Sequence, residues 1–266
     1  MTRLRFTILG CGSSGGVPRI GGHWGECDPA NPRNTRLRCS MLVERLGAHG
    51  TTRVLIDTSP DMRAQLIGAG VSVLDAVVYT HAHADHVNGL DDIRQISFNT
   101  GARMPVWADG ETQESLMGRF GYAFAQPADS SYPPICDLFT IRAPFEVHGP
   151  GGALAFTPIP VRHGDIDALG FRIGPLAYIP DVSDIPAASW PLLEGLHCWV
   201  LDALRRKPHP THVHLARALE WIARAAPASA VLTNMHIDLD HDRVAAETPA
   251  QVTPAFDGMV LEFAAE

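Results

Sequence analysis

The sequence predicts an α/β layered fold, two packed sheet layers with outer helices, in a single domain over residues 1–266. Three observations carry this. A chain of 266 residues can bury a sizeable core. Ten apolar runs rich in β-branched residues recur along it, and four helical patterns lie among them. No Ser/Gly linker, charge block, low-complexity tract or short repeat divides the chain, and Pro and Gly are scattered as turn punctuation.

Taken in order, the runs "RFTILG" (5–10), "CSMLVE" (39–44), "RVLIDT" (53–58) and "DAVVYT" (75–80) read as strands in the first half. The second half supplies "ALAFTPIPV" (153–161), "GFRI" (170–173), "LAYIPD" (176–181), "CWVLDA" (198–203), "AVLTN" (230–234) and "MVLEF" (259–263). Helical periodicity falls at 60–69, 86–97, 111–122 and 212–225. The last begins near Thr211 and carries Val213, Ala216, Leu219 and Ile222 on its apolar positions. Polar residues recur where these runs stop: Asp57, Thr80 with His81, Asp181, Asp202 and Asn234 each sit at or just after the end of an apolar run. A rigid strand that ends at a cleft places a functional group with little conformational freedom.

The densest such end is "VVYTHAHADHVNGLDD" (77–92), three histidines and three aspartates behind a β-branched run. His81 and His83 can converge if the backbone turns, and Asp85 and His86 open the following helix. Imidazole and carboxylate together bind zinc and also suit manganese or iron, so the donor types indicate a divalent metal without choosing it.

His81-x-His83-x-Asp85-His86 after an apolar strand resembles the HxHxDH signature of metallo-β-lactamase-fold hydrolases. Three later residues have the type and order that family requires: His163 in "TPIPVRHGD", Asp181 ending "LAYIPD" and His236 in "LTNMH". The resemblance implies an αββα sandwich of two mixed sheets and two divalent metal ions, zinc or manganese. His81, His83 and His163 would hold one, Asp85, His86 and His236 the second, with Asp181 between them and a bridging hydroxide as nucleophile. Within the superfamily the chain is similar to PhnP-like phosphodiesterases. The similarity rests on "GCGSSGGVPRIG" (10–21), "RLRCS" (36–40), "LIDTSPD" (55–61), "THAHADHVNGLDDIR" (80–94), "HPTHVHL" (209–215) and "LDH" (239–241). It implies that His212 protonates the leaving group, with Asp85 also counted among the catalytic residues, and that the substrate is a small, cyclic or nucleotide-like phosphodiester. His212 is expected at a helix start, where the dipole disfavours its positive form.

The chain departs from that pattern twice. The loop "GGHWGECDPANPRN" offers only His23 and Cys27 where PhnP-like proteins often carry a cysteine-bound structural zinc, and two ligands are half of a closed tetrahedral site. In "LTNMHIDLDH" the family's last ligand falls on Asn234; His236 is preferred as the better donor, with His241 as the fallback. Asp57 reads as a group orienting a ligand histidine. Gly10–Gly15 satisfies GxGxxG, but further Gly and Pro residues follow instead of a helix, so dinucleotide binding is not expected. Ser13 and Ser14 in that loop, with Arg38 and Arg94, are candidate phosphate contacts.

A net charge of −8 leaves no broad basic face for long nucleic acid, and no Lys/Arg-rich arm suits a tRNA-processing nuclease. No signal peptide or membrane span is expected, which makes the expected location cytoplasmic. Five cysteines without CxxC spacing indicate neither a disulfide framework nor a cysteine cage. A homodimer is compatible with all of this. Two other functions stay open: a lactone, thioester or β-lactam-type acyl hydrolase, and a non-catalytic metal- or nucleotide-binding sensor.

Overall fold

The computed structural model describes residues 2–126 and 128–265. Fourteen strands, six α-helices and three short 3₁₀ turns are formed among them. The strands are β1 (Arg3–Gly10), β2 (Ser40–Gly47), β3 (Gly50–Ile56), β4 (Ala76–Val78), β5 (Met104–Ala108), β6 (Cys136–Thr140), β7 (Phe145–Val147), β8 (Leu154–His163), β9 (Ile166–Ile173), β10 (Leu176–Ile179), β11 (Cys198–Asp202), β12 (Ser229–Thr233), β13 (Val252–Pro254) and β14 (Met259–Ala264). The helices are α1 (Met62–Gly68), α2 (Ala84–Val87), α3 (Ile93–Thr100), α4 (Gly110–Phe124), α5 (Leu215–Ala225) and α6 (His241–Glu247). Two mixed seven-stranded sheets result, ordered β14-β1-β2-β3-β4-β5-β6 and β13-β12-β11-β10-β9-β8-β7. The layered α/β class expected from the sequence is the one observed. No helix among the described residues is long and apolar enough to cross a membrane.

The chain forms two compact units, each discontinuous in sequence: residues 1–9, 40–155 and 260–266, and residues 10–39 and 156–259. In the first, β2 and β3 pair antiparallel, and β3, β4, β5 and β6 run parallel. Leu55, Val77 and Val106 from these strands, and Tyr79 just after β4, pack with Leu66 of α1, Ile93 and Ile96 of α3 and Leu116 of α4 in one buried cluster. The expected helix over 86–97 is broken into α2, a 3₁₀ turn at Leu90–Asp92 and α3. Gly89 causes the break: its N–H donates to the Thr58 carbonyl at 2.9 Å, and a Cβ there would lie 2.1 Å from the Ser59 carbonyl oxygen.

In the second unit β10, β11, β12 and β13 run parallel, with β9 and β8 antiparallel beside them. "LAYI" and "CWVLD" are buried throughout, the continuous apolar pattern of strands covered on both faces. Because the three central strands share a direction, their carboxyl ends lie along one edge, which is where Asp181, Asp202 and Asn234 fall. Helix α5 starts at Leu215, three residues after His212, and buries Leu215, Ala218, Trp221 and Ile222, a face one residue out of step with the expected one. The reason is backbone pairing: Val213 N donates to Val182 O (2.6 Å) and Val213 O accepts from Leu204 N (3.0 Å), which keeps this stretch extended.

Four strands and one helix lie outside the expected elements. β5 and β13 contain Pro, which argues against a strand when read from sequence. β6 is largely solvent-facing, and β7 and α6 are short.

The N-cap of α6 joins two distant segments. Asp240 Oδ1 accepts from Arg243 N (3.0 Å), while Oδ2 accepts from Asn34 Nδ2 (2.6 Å) and Asp28 N (3.0 Å). Burial pushes this carboxyl up, but the donated hydrogen bonds outweigh it and hold it below its ordinary value. Asp240→Ala is expected to destabilise the protein by about 1–3 kcal/mol, a fall of several degrees in Tm. A folded-state value below the unfolded one gives stability that is present above about pH 4 and lost as pH falls through the folded value, so the gap between wild type and variant narrows in acid. Thermal melts of both proteins across pH 3–7 check this.

Candidate metal centre

In the first unit the donors cluster around a buried carboxylate. Asp57 follows β3 with φ +62°, and its side chain accepts from Thr80 N (2.8 Å), Thr80 Oγ1 (2.8 Å) and His86 Nδ1 (2.7 Å). A carboxylate only accepts, so His86 carries its proton on Nδ1 and presents Nε2 as a lone pair. The Thr80 hydroxyl hydrogen is committed to Asp57, so the 3.0 Å contact from His81 Nδ1 runs from the ring into the hydroxyl, and His81 also presents Nε2. One carboxylate thereby sets the tautomer of two histidines. Burial raises the Asp57 carboxyl above its ordinary value against the pull of His86 and Thr80.

The three rings gather at this turn: His81 lies 4.7 Å from His83 and 4.3 Å from His86 between centroids. Asp85 Oδ2 lies 3.7 Å from His86 Nε2. His81 and His86 are buried, His83 is exposed and Asp85 half-buried. The turn is braced by Arg119 of α4, which donates to the Ala82 carbonyl and to Ser115 Oγ.

In the second unit the same logic recurs at the ends of β8, β10, β11 and β12. His163 donates from Nδ1 to the Thr211 carbonyl (2.6 Å), which turns Nε2 to Asp181 Oδ2 at 3.4 Å. Two donors each about 2.1 Å from one ion are about 3–4 Å apart, so the His163–Asp181 and His86–Asp85 spacings both fit a divalent cation. His212 donates from Nδ1 to Asp202 Oδ2 (2.9 Å), an oxygen that also accepts from Val182 N (3.1 Å). Asp202 is fully buried, which pushes its carboxyl up while His212 pulls it down. The rings of His163 and His212 meet edge to face at 4.5 Å.

One expectation is corrected here. His212 is not at a helix start: α5 begins later, His214 is its N-cap, and the partner that governs the His212 ring is Asp202 rather than a helix dipole. The neighbours of Asn234 and His236, the two candidates for the last ligand, differ. Asn234, with φ +59° just after β12, donates from Nδ2 to Asp181 Oδ1 (3.1 Å) and lies 3.2 Å from His212 Nδ1. His236 lies 3.1 Å from Asp238 and is hydrogen-bonded to Arg19. His241 is buried at the start of α6, with Nδ1 3.0 Å from Asp242 and its ring against Phe256.

The remaining sequence candidates occupy ordinary positions. Arg94 pairs with Asp91 one turn away. The Gly-rich loop turns at Ser13–Gly16 and leads to no α-helix; the next helical turn is the 3₁₀ turn at Pro32–Asn34. Cys27 lies beside a buried guanidinium: Arg36 donates to the Leu239 carbonyl (2.7 Å), the His236 carbonyl (3.4 Å), Asn34 Oδ1 (3.2 Å) and Cys27 Sγ (3.8 Å). All five cysteines are buried free thiols. Asp202 and Thr80 carry legible signals, polar residues at strand ends. Thr211 and Ala82 contribute carbonyls, which no residue type announces.

Two mixed sheets that present histidines beside carboxylates at their strand ends fit a metal-dependent hydrolase. Residues 52–237 match the model of the Beta-lactamase superfamily domain, and the chain belongs to that family, within its PhnP-like, metallo-β-lactamase-fold branch. It is 38% identical to a diphosphatase from the PhnP family of known crystal structure, with a TM-score of 0.87 over 99% of this chain and 98% of that one. It is 32% identical over 263 residues to the octanoyltransferase of Porphyromonas gingivalis (strain ATCC BAA-308 / W83), covering 96% of this chain and 51% of that protein. With ribonuclease Z of Mycobacterium bovis (strain BCG / Pasteur 1173P2) it shares 30% identity over 192 residues, 64% of this chain and 58% of the relative. The chain thus spans about half the length of these two curated relatives.

Asp57→Asn keeps shape and tolerates the positive φ but replaces an acceptor pair by a mixed donor–acceptor. We expect metal affinity to fall about 10–100-fold with the fold retained, measured by chelator-competition titration with Zn²⁺ or Mn²⁺ alongside circular dichroism.

Proposed function

We propose that this chain is a metal-dependent phosphodiesterase acting on a small, cyclic or nucleotide-like diester, with His212 as the proton donor to the leaving oxygen. The observation that carries this is the His212–Asp202 pair beside Asp181 and His163. An imidazole whose Nδ1 is committed to a buried carboxylate has one atom, Nε2, left for proton transfer, and the carboxylate stabilises the imidazolium that carries it.

By the family resemblance, the residues that would hold the metals are His81, His83 and His163 for one ion and Asp85, His86 and His236 for the other, with Asp181 shared. When bound, two zinc or manganese ions would polarise the phosphoryl oxygens and activate a water for attack. The chain's own residues do the rest. Asp57 and the Thr211 carbonyl hold the ligand rings in the tautomer a cation requires. Asn234 anchors Asp181. His212 gives up its Nε2 proton to the departing oxygen and is re-protonated from solvent. The similarity to a PhnP-family diphosphatase and to ribonuclease Z supports phosphorus chemistry. The octanoyltransferase similarity favours, as a second reading, attack on an acyl carbon by the same site. As an enzyme with a small substrate it is proposed to act in the cytoplasm, with a homodimer as the oligomer to test for.

The proposed acid makes a sharp kinetic expectation. p-Nitrophenolate leaves as a stabilised anion and needs no proton, whereas an alkoxide does. His212→Ala is expected to cost about 10²–10⁴-fold in kcat on 2′,3′-cyclic AMP and far less on bis(p-nitrophenyl) phosphate, while His81→Ala abolishes both. Equal losses from His212→Ala on the two diesters would remove the acid role. Hydrolysis of p-nitrophenyl acetate with neither diester cleaved would move the function to acyl chemistry.

A further inference from the structure

The diester chemistry uses His212 of the segment 209–215 and leaves His209 without a task. His209 stands between Pro208 and Pro210, whose rings fix their own φ and restrict the histidine between them to extended backbone. Arg205 ties the loop together: it donates from Nε to the Lys207 carbonyl (3.1 Å) and from Nη2 to the Pro208 carbonyl (2.7 Å), while its own carbonyl accepts from Leu215 N (2.9 Å). The histidine is therefore presented by a braced loop.

Thr211 decides which nitrogen of His209 carries the proton. Its N–H donates to His209 Nδ1 (3.3 Å), and its hydroxyl lies 3.1 Å from the same atom. A backbone N–H only donates, so Nδ1 is the acceptor and the ring proton sits on Nε2. The carbonyl of the same residue accepts from His163 Nδ1, which fixes that ring the other way round. Thr211 is itself held closely, since a Cβ on Gly164, at φ +62°, would lie 2.5 Å from Thr211 Cγ2. Burial, then the neighbouring His212 and Arg205, lower the pKa of His209 and keep its ring neutral. Among the described residues nothing accepts from its Nε2–H.

The rings of His209 and His212 are neighbours, 5.3 Å between centroids, and His212 lies 4.5 Å from His163. One short segment thus carries two imidazoles prepared for different work. His212 has its Nδ1 proton on Asp202, which favours the imidazolium, whereas His209 has its lone pair occupied by Thr211 and offers a neutral N–H. Such a group is a poor acid but a good donor to an oxygen that gains negative charge. We propose that His209 donates its Nε2–H to a non-bridging oxygen of the scissile phosphoryl group, next to the leaving oxygen that His212 protonates, and keeps its own proton throughout. This rests on the diester reading above.

The test measures kcat, KM and bound metal per chain for wild type, His209→Ala and His209→Gln on 2′,3′-cyclic AMP and bis(p-nitrophenyl) phosphate. A donor to a non-bridging oxygen acts whatever group leaves, so His209→Ala is expected to lower kcat about 10²-fold on both diesters, with KM and metal little changed. Glutamine can accept from Thr211 N through its carbonyl and donate through its amide, so His209→Gln is expected to recover at least about tenfold. Four results overturn the proposal: His209→Ala within about threefold of wild type on both diesters, a loss confined to the cyclic nucleotide, a loss that glutamine does not restore, or a fall in bound metal. The tautomer is readable without turnover. Long-range ¹H–¹⁵N spectra at about pH 7.5 are expected to show His209 neutral with its proton on Nε2, and a ring charged or protonated on Nδ1 ends the proposal. If wild type cleaves neither diester, the diester reading fails, and the response of the His209 Nε2 signal to added inorganic phosphate decides the donor role. A shift sustains it; a signal that does not move ends it.

Discussion

A neutral imidazole offers a lone pair from one nitrogen only, and the arrangement around both strand edges follows from deciding which one. At the end of β3 a single buried carboxylate makes that decision for two rings, directly for His86 and through the Thr80 hydroxyl for His81. Burying Asp57 without such partners would be costly; three donated hydrogen bonds offset its desolvation. The left-handed backbone at Asp57, the polar Thr80 ahead of the histidines and the short α2 turn are all parts of that one hydrogen-bonded unit.

The second unit reaches a similar result by topology. Parallel pairing of β10, β11 and β12 brings three polar strand ends to one edge without any of them being close in sequence. Their roles differ, since Asp181 faces His163, Asp202 holds His212, and Asn234 bonds Asp181. Such groups sit on rigid strands whose interiors are wholly apolar, so their positions are set by the packing of Tyr178, Trp199 and Val200 rather than by loop conformation.

This division explains what was legible in the sequence. The HxHxDH turn and the polar ends of apolar runs are visible because they use side chains at a pattern boundary, and they supply most of the candidate site residues. The placement of His212 is not, because apolar residues after Thr211 mimic helical spacing while Val213 is paired to Val182 and Leu204, partners tens of residues or a strand away. At the end of β12 the family's ligand position falls on Asn234, while the imidazole two residues later is the better donor type, and residue type alone ranks His236 first. β5 and β13 were lost to their prolines, and Arg36 looked like any arginine although it is fully buried among carbonyls.

Asn234 has a consequence beyond its hydrogen bond. At φ +59° its backbone admits few residue types, chiefly Gly, Asn, Asp and His. Asparagine and histidine codons differ at a single base, so a lineage can exchange a carboxamide for an imidazole at this strand end in one mutational step and without backbone repair. The fold thus leaves a low-barrier evolutionary path between two versions of the site, one that anchors Asp181 through an amide and one that adds a further nitrogen donor.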